Sequence, residues 1–169
     1  MSTVFLGADH AGFLFKNALK DALHVFGYVI EDLGAHELVS DDDYPEYASK
    51  VAHAVMTHPG SKGVLLCGSA EGMCMAANKF EGIRAGVGFS KEAARLMRTD
   101  DDANIICIPT RIALVDDKVE IVKTFLETPF SGEERHKRRV GELDALDAGS
   151  LRAYGPIGPG AVSGMTSIL

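Results

Sequence analysis

GVLLCGSAEGMCMAANK, residues 63–79, reads as a short strand, a cysteine at its end, a glycine-rich turn and a helix start. Val64, Leu65 and Leu66 form a continuous apolar run, which suits a strand covered on both faces. Gly68 and Gly72 bracket Ser69, Ala70 and Glu71, so the backbone can turn sharply and present consecutive N–H groups. Such groups, with a helix dipole behind them, attract negative charge and favour the thiolate of Cys67. Two readings fit. One is a reaction centre with a base beside an oxyanion pocket; the other is a tight connection around a buried cysteine.

Outward from this stretch, apolar runs and amphipathic segments alternate. Strands are predicted over 3–6, 28–33, 63–67, 83–89 and 104–108, with helical periodicity between them. Phe15, Leu19, Ala22 and Phe26 recur at helical spacing, and a helix over 44–57 carries Pro45 in its first turn. Ser90 is placed to cap a helix ending near Arg98, and a further helix is predicted over 114–126. Ser131-Gly-Glu-Glu134 has capping-box spacing and opens a last helix reaching about Leu146. Strands alternating with helices imply parallel βαβ units, hence a three-layer α/β/α sandwich. In such folds ligands gather outside the carboxyl ends of the strands. Asp9 and His10, the Cys67 turn and the segment after Ile108 all fall there. One domain is expected over 1–147, followed over 148–169 by a glycine- and proline-rich tail, flexible or strapped on a partner subunit.

Composition narrows the function. The 169 residues are 46% hydrophobic and 24% charged, ordinary for a globular enzyme. A net charge of −7 argues against nucleic-acid binding. No apolar run is long enough to span a membrane, and Asp9 comes too early for a signal peptide. Three cysteines, Cys67, Cys74 and Cys107, lie in apolar segments, which suggests reduced thiols in a cytoplasmic setting. Their spacing fits no zinc pattern. Neither GADHAG nor GSAEG meets the dinucleotide-binding spacing, and no phosphate-loop lysine follows.

Five pieces, in order, resemble the ribose-5-phosphate isomerase B family, which includes the galactose-6-phosphate isomerase subunits. They are GADHAGF (7–13), DDYPEYA (42–48), CGSAEG with AANK (67–79), GIRAG (82–86) and RHKRRV (135–140). The resemblance covers roughly residues 3 to 146. It implies a Rossmann-like sandwich with a five-stranded parallel sheet, no metal or organic cofactor, and a sugar-phosphate substrate. It also implies a homodimer, often paired into tetramers, with each active site shared between subunits.

Aldose–ketose isomerisation needs a base near a C–H bond, donors for a developing oxyanion, an acid for the oxygens and a phosphate anchor. By resemblance, Cys67 would be the carbon base; other members use a Glu at the position of Met73. Backbone N–H groups from Gly68 through Ala70 to Gly72, with the Ser69 hydroxyl, would hold the enediolate oxygen. Ala70 stands where the family usually has Gly, so a positive φ there would add strain of about 1 kcal/mol. Glu71, an acidic neighbour in the same loop, is a second candidate for the base, and otherwise a solvated or substrate-edge group. Asp9 would polarise hydroxyls or help open the sugar ring, and His10 would contact the phosphate or nearby oxygens. Arg135 and Arg139, spaced i,i+4, can clamp a phosphate together. Arg111 would add a third cation.

One departure bears on substrate choice. Where the family carries a His-Asn pair before the fifth strand, this chain has Asp100 and Asp101. An ionised carboxylate is a poor acid at neutral pH. Either Asp100 has a raised pKa and still serves, or the substrate needs no ring opening by this group, or the chain only binds a sugar phosphate. Ribose 5-phosphate is the default substrate; erythrose 4-phosphate and allose or galactose 6-phosphate are the alternatives.

Overall fold

The structure, a computed structural model, describes residues 3–147; the 148–169 tail lies outside them. The elements run β1 (Thr3–Ala8), α1 (Phe13–Val25), β2 (Val29–Asp32), α2 (Tyr44–Thr57), β3 (Lys62–Cys67), α3 (Glu71–Ala77), β4 (Ala85–Val87), α4 (Lys91–Thr99), β5 (Ile105–Pro109), α5 (Lys118–Glu127) and α6 (Glu134–Asp147). The strands form one parallel sheet in the order β2-β1-β3-β5-β4.

Period-2 alternation sorts the side chains of the inner strands to two faces. Val4, Leu6, Val64, Leu66, Ile106 and Ile108 meet Leu19 and Leu23 of α1 and Ile121, Val122 and Phe125 of α5. Phe5, Leu65, Ile105 and Cys107 meet Tyr47, Val51 and Val55 of α2 and Met73 and Ala77 of α3. The result is the expected three-layer sandwich with five parallel strands.

Several boundaries moved, each for a local reason. Helix α5 begins at Lys118 rather than Leu114, because the Asp117 carboxylate accepts hydrogen bonds from the Val119 and Glu120 amides. Strand β4 is cut to three residues at the sheet edge. Ser90 caps α4 through the Ala93 amide, as expected. The reciprocal capping box at Ser131 does not form: the Ser131 amide donates to the Thr99 carbonyl, and its hydroxyl, 2.8 Å from His136 Nδ1, accepts the Glu133 amide at 3.3 Å. Helix α6 therefore starts at Glu134, docked on the end of α4.

Lys16 of α1 is fully buried against Asp32 at the end of β2, and Lys20 reaches the other carboxylate oxygen at 2.9 Å. Burial pushes the Asp32 carboxyl up. The two ammonium groups and the Gly34 amide outweigh it and hold the carboxyl below its ordinary range. A depressed folded pKa means this stability is complete above the unfolded carboxyl value, about 3.9, and is lost as pH falls through the folded value. Asp32→Ala strands a buried ammonium and is expected to cost roughly 3–5 kcal/mol in urea unfolding at pH 7. The gap from the parent protein should shrink in acid below about pH 4.

Candidate active site

Parallel pairing gathers the carboxyl ends of β1, β3 and β5 at one edge. Ala8 pairs with Leu66, and Cys67 with Pro109. Asp9 and Cys67, each one step beyond these pairs or at their end, become neighbours: the Cys67 thiol donates to Asp9 Oδ2 at 2.9 Å. Asp9 is buried, and its other oxygen accepts from the Ala11 and Gly12 amides at 3.0 and 3.1 Å. The carboxylate thus ties the start of α1 to the end of β3.

The electrostatics differ from the expectation of a thiolate. Burial, the hydrogen bond to Asp9 and the negative charge of Asp9 push the Cys67 thiol up to about 11. The Ala70 and Gly68 amides pull it down, as the turn was expected to do, but by less. The sequence reading missed the size of this opposition because Asp9 lies 58 residues away. In the free protein the proton sits on sulfur.

Ala70 precedes α3 with φ +69°, the left-handed region that the glycine-to-alanine departure implied. Its methyl group is fully buried in the α2/α3 core, which offsets part of the strain. Gly68 and Gly72 are constrained by neighbours. A Cβ on Gly68 would come within 3.2 Å of Arg111 Cδ, and one on Gly72 within 2.7 Å of the Tyr44 ring. Arg111 therefore lies over the Cys67 turn, tied by its amide to the Gly68 carbonyl at 3.0 Å. Ser69 and Glu71 are exposed at the mouth of the turn.

His10 is half-buried, and its Nδ1 lies 2.7 Å from Asp42 Oδ1, which also accepts the His10 amide. Burial raises the Asp42 carboxyl, but the His10 amide and ring, with Tyr47 beside it, hold it low. The Tyr47 hydroxyl is pushed up to about 12 by burial and by Asp42. Asp42, Tyr44 and Tyr47 had no roles assigned from sequence. Their signal was the DDYPEYA motif itself, whose residues line the edge formed by Asp9, His10 and Gly72.

The other four predicted residues are elsewhere. Asp100 and Asp101 precede β5 and so lie at the amino edge of the sheet, opposite Cys67. Arg135 and Arg139 are exposed on α6. The first turn of that helix is pinned to the same edge, through buried His136 at 3.2 Å from the Thr99 carbonyl and 3.8 Å from Asp100 Oδ1. Within one chain the cysteine cluster and the arginine cluster are at opposite ends. Among the described residues no helix is long and apolar enough to cross a membrane.

A family model described as Ribose/Galactose Isomerase matches residues 4–143. The chain is 38% identical over 144 residues to a probable ribose-5-phosphate isomerase B of Mycoplasma pneumoniae, covering 85% of this chain and 94% of the relative. It is 35% identical over 147 residues to ribose-5-phosphate isomerase B of Escherichia coli, covering 87% and 97%. Among solved structures, ribose-5-phosphate isomerase B of Mycoplasma genitalium with bound ribulose-5-phosphate superposes with a TM-score of 0.82. It is 33% identical, with 86% of this chain and 96% of that one covered. The type B ribose 5-phosphate isomerase of Trypanosoma cruzi also gives 0.82, at 40% identity and coverage of 87% and 99%. With this sheet order, this cysteine turn and these matches, the chain belongs to the ribose/galactose isomerase family.

Proposed function

We propose that this protein is a cofactor-independent aldose–ketose isomerase that interconverts ribose 5-phosphate and ribulose 5-phosphate, with Cys67 as the carbon base. The observation that carries the reading is the 2.9 Å hydrogen bond between the Cys67 thiol and Asp9, beside backbone amides and Arg111. Relatives named ribose-5-phosphate isomerase B, and the one holding ribulose-5-phosphate, support the substrate class.

A thiol with a pKa near 11 is thiolate in only about one molecule in ten thousand at pH 7. The Asp9 carboxylate, 2.9 Å from the sulfur, is the group placed to receive that proton as the substrate arrives. Transfer from sulfur to Asp9 gives a thiolate and a carboxylic acid without moving net charge out of the pair. The thiolate removes the proton from C2 of the open-chain aldose, while Asp9 protonates the C1 oxygen, giving an enediol. Cys67 then returns its proton to C1, and Asp9 takes the proton from the C2 hydroxyl. The ketose leaves, and the pair is back at its starting proton count. Amides of the Gly68–Gly72 turn and the Ser69 hydroxyl stabilise charge developing on the oxygens. His10, oriented by Asp42, and Arg111 face substrate oxygens from the flanking loops.

The phosphate clamp and the Asp100–Asp101 step reach a cysteine turn only from a second copy of the chain, so the working unit is a homodimer or a higher assembly of dimers. Opposite placement within one chain supports this reading: the turn is at the carboxyl edge and the clamp is pinned to the amino edge.

Cys67→Ala should lower kcat by about 10²–10⁴ while leaving phosphate-ligand affinity nearly unchanged, checked by sugar-phosphate turnover and calorimetry. Unchanged turnover would sink the assignment. The parent enzyme should also wash solvent deuterium into recovered sugar, whereas a protein that only binds sugar phosphate would not. Asp9→Asn keeps an acceptor for the Ala11 and Gly12 amides but removes the charge. The Cys67 thiol should then titrate below 11 by thiolate absorbance, with iodoacetamide alkylation at pH 8 roughly three- to fourfold faster per unit of fall. Turnover should fall despite the more accessible thiolate. For the shared site, pairs mixing a Cys67→Ala chain with an Arg135→Ala/Arg139→Ala chain should regain activity that neither homodimer has. A mixed pair as inactive as its parents would refute sharing.

A further inference from the structure

Asp102 is held at φ +46°, in the left-handed region that aspartate enters more readily than most residues other than glycine. The turn coincides with a dense set of contacts. Asp102 Oδ1 accepts from Arg98 Nη1 at 2.8 Å, and Oδ2 from Arg84 Nη2 at 3.0 Å, so one carboxylate bridges α4 to the residues before β4. Arg98 is buried and also donates to the Ala103 and Thr128 carbonyls. Arg84 Nε reaches the Asp101 and Asp102 carbonyls at 3.2 and 3.1 Å. Its Nη1 reaches Asp144 of α6 at 3.3 Å. A single guanidinium therefore contacts both the backbone of the aspartate step and the helix carrying Arg135 and Arg139. These bonds set where Asp100 and Asp101 stand relative to the arginine clamp.

We infer that Arg84 and Asp102 are positioning residues that hold the Asp100–Asp101 step and α6 as one rigid unit for delivery to the cysteine turn of a second copy. The inference rests on the shared site proposed above. It goes further in assigning a function in trans to a cluster that touches no part of its own chain's cysteine turn. The Arg98 side chain is 8% exposed and that of Arg84 18%, and Asp102, 34% exposed, is held between them by charge-assisted hydrogen bonds from both sides.

The test uses mixed pairs isolated by two affinity tags, one chain carrying Cys67→Ala and the other Arg135→Ala/Arg139→Ala. Such a pair has one working site, built from the cysteine of the second chain and the aspartate step and clamp of the first. Asp102→Gly is then placed on one chain or the other. Glycine accepts the positive φ but removes the bridge. On the Cys67→Ala chain it should lower kcat tenfold or more. On the arginine-deleted chain it should change kcat less than twofold. Asp102→Asn, which tolerates the same φ and keeps one acceptor, should fall less and serves if the glycine variant does not fold. Equal losses on both chains would assign Asp102 to general stability and overturn the inference, as would no loss on either. An inactive pair before any change at Asp102, alongside an active parent enzyme, would overturn the shared site and this inference with it. A catalytically inactive parent would overturn the isomerase reading itself.

Discussion

The parallel pairing of β1 with β3 is the constraint on which the site depends. With Ala8 opposite Leu66, the two chains leave the sheet at the same height. The side chains that follow, Asp9 and Cys67, then have little choice but to meet. A slip of one residue would turn Cys67 toward the other face and break the contact. The core enforces the register from both sides. Leu66 must face Leu19 and Leu23, and Leu65 must face Tyr47 and Val51. Packing energy over the whole sandwich thus becomes positional accuracy at one sulfur atom.

That accuracy has an electrostatic consequence. Asp9 serves two masters: its Oδ1 orders the start of α1, and its Oδ2 holds the thiol proton. The same carboxylate that raises the thiol pKa is the nearest group able to accept its proton. A cysteine kept protonated in the absence of substrate is also a weaker target for oxidants and alkylating agents, because the thiolate is the reactive form. In the mechanism we propose, the same hydrogen bond is the path by which the proton leaves the sulfur.

The sheet's polarity separates the Asp100–Asp101 step from the cysteine turn. Parallel strands place every strand-to-helix turn at one edge and every helix-to-strand turn at the other. Asp100 and Asp101 are in a helix-to-strand turn and Cys67 is in a strand-to-helix turn, so no adjustment of loops brings them together within one sandwich. The anchors of α6, at Thr99 and Arg84, commit Arg135 and Arg139 to the amino edge as well.

Most elements were legible because their signals are local. The apolar run before Cys67, the alternation of strands and helices, the Ser90 cap and the proline at the start of α2 are all encoded within a few neighbouring residues. The positive φ of Ala70 was raised only through the family resemblance, as a position where glycine is usual. Signals that mislead locally were overruled by partners elsewhere: Ser131 has capping-box spacing, but Thr99 and His136 take its amide and hydroxyl. The sequence by itself determined the fold class, the order of elements and the presence of a cysteine turn with its companion motifs, since backbone periodicity and turn chemistry are short-range. Only the tertiary structure decided where the Cys67 proton rests and which site residues share an edge. Both depend on burial and on charges brought close by packing, and a carboxylate 58 residues away counts for more at 2.9 Å than any neighbour in the chain.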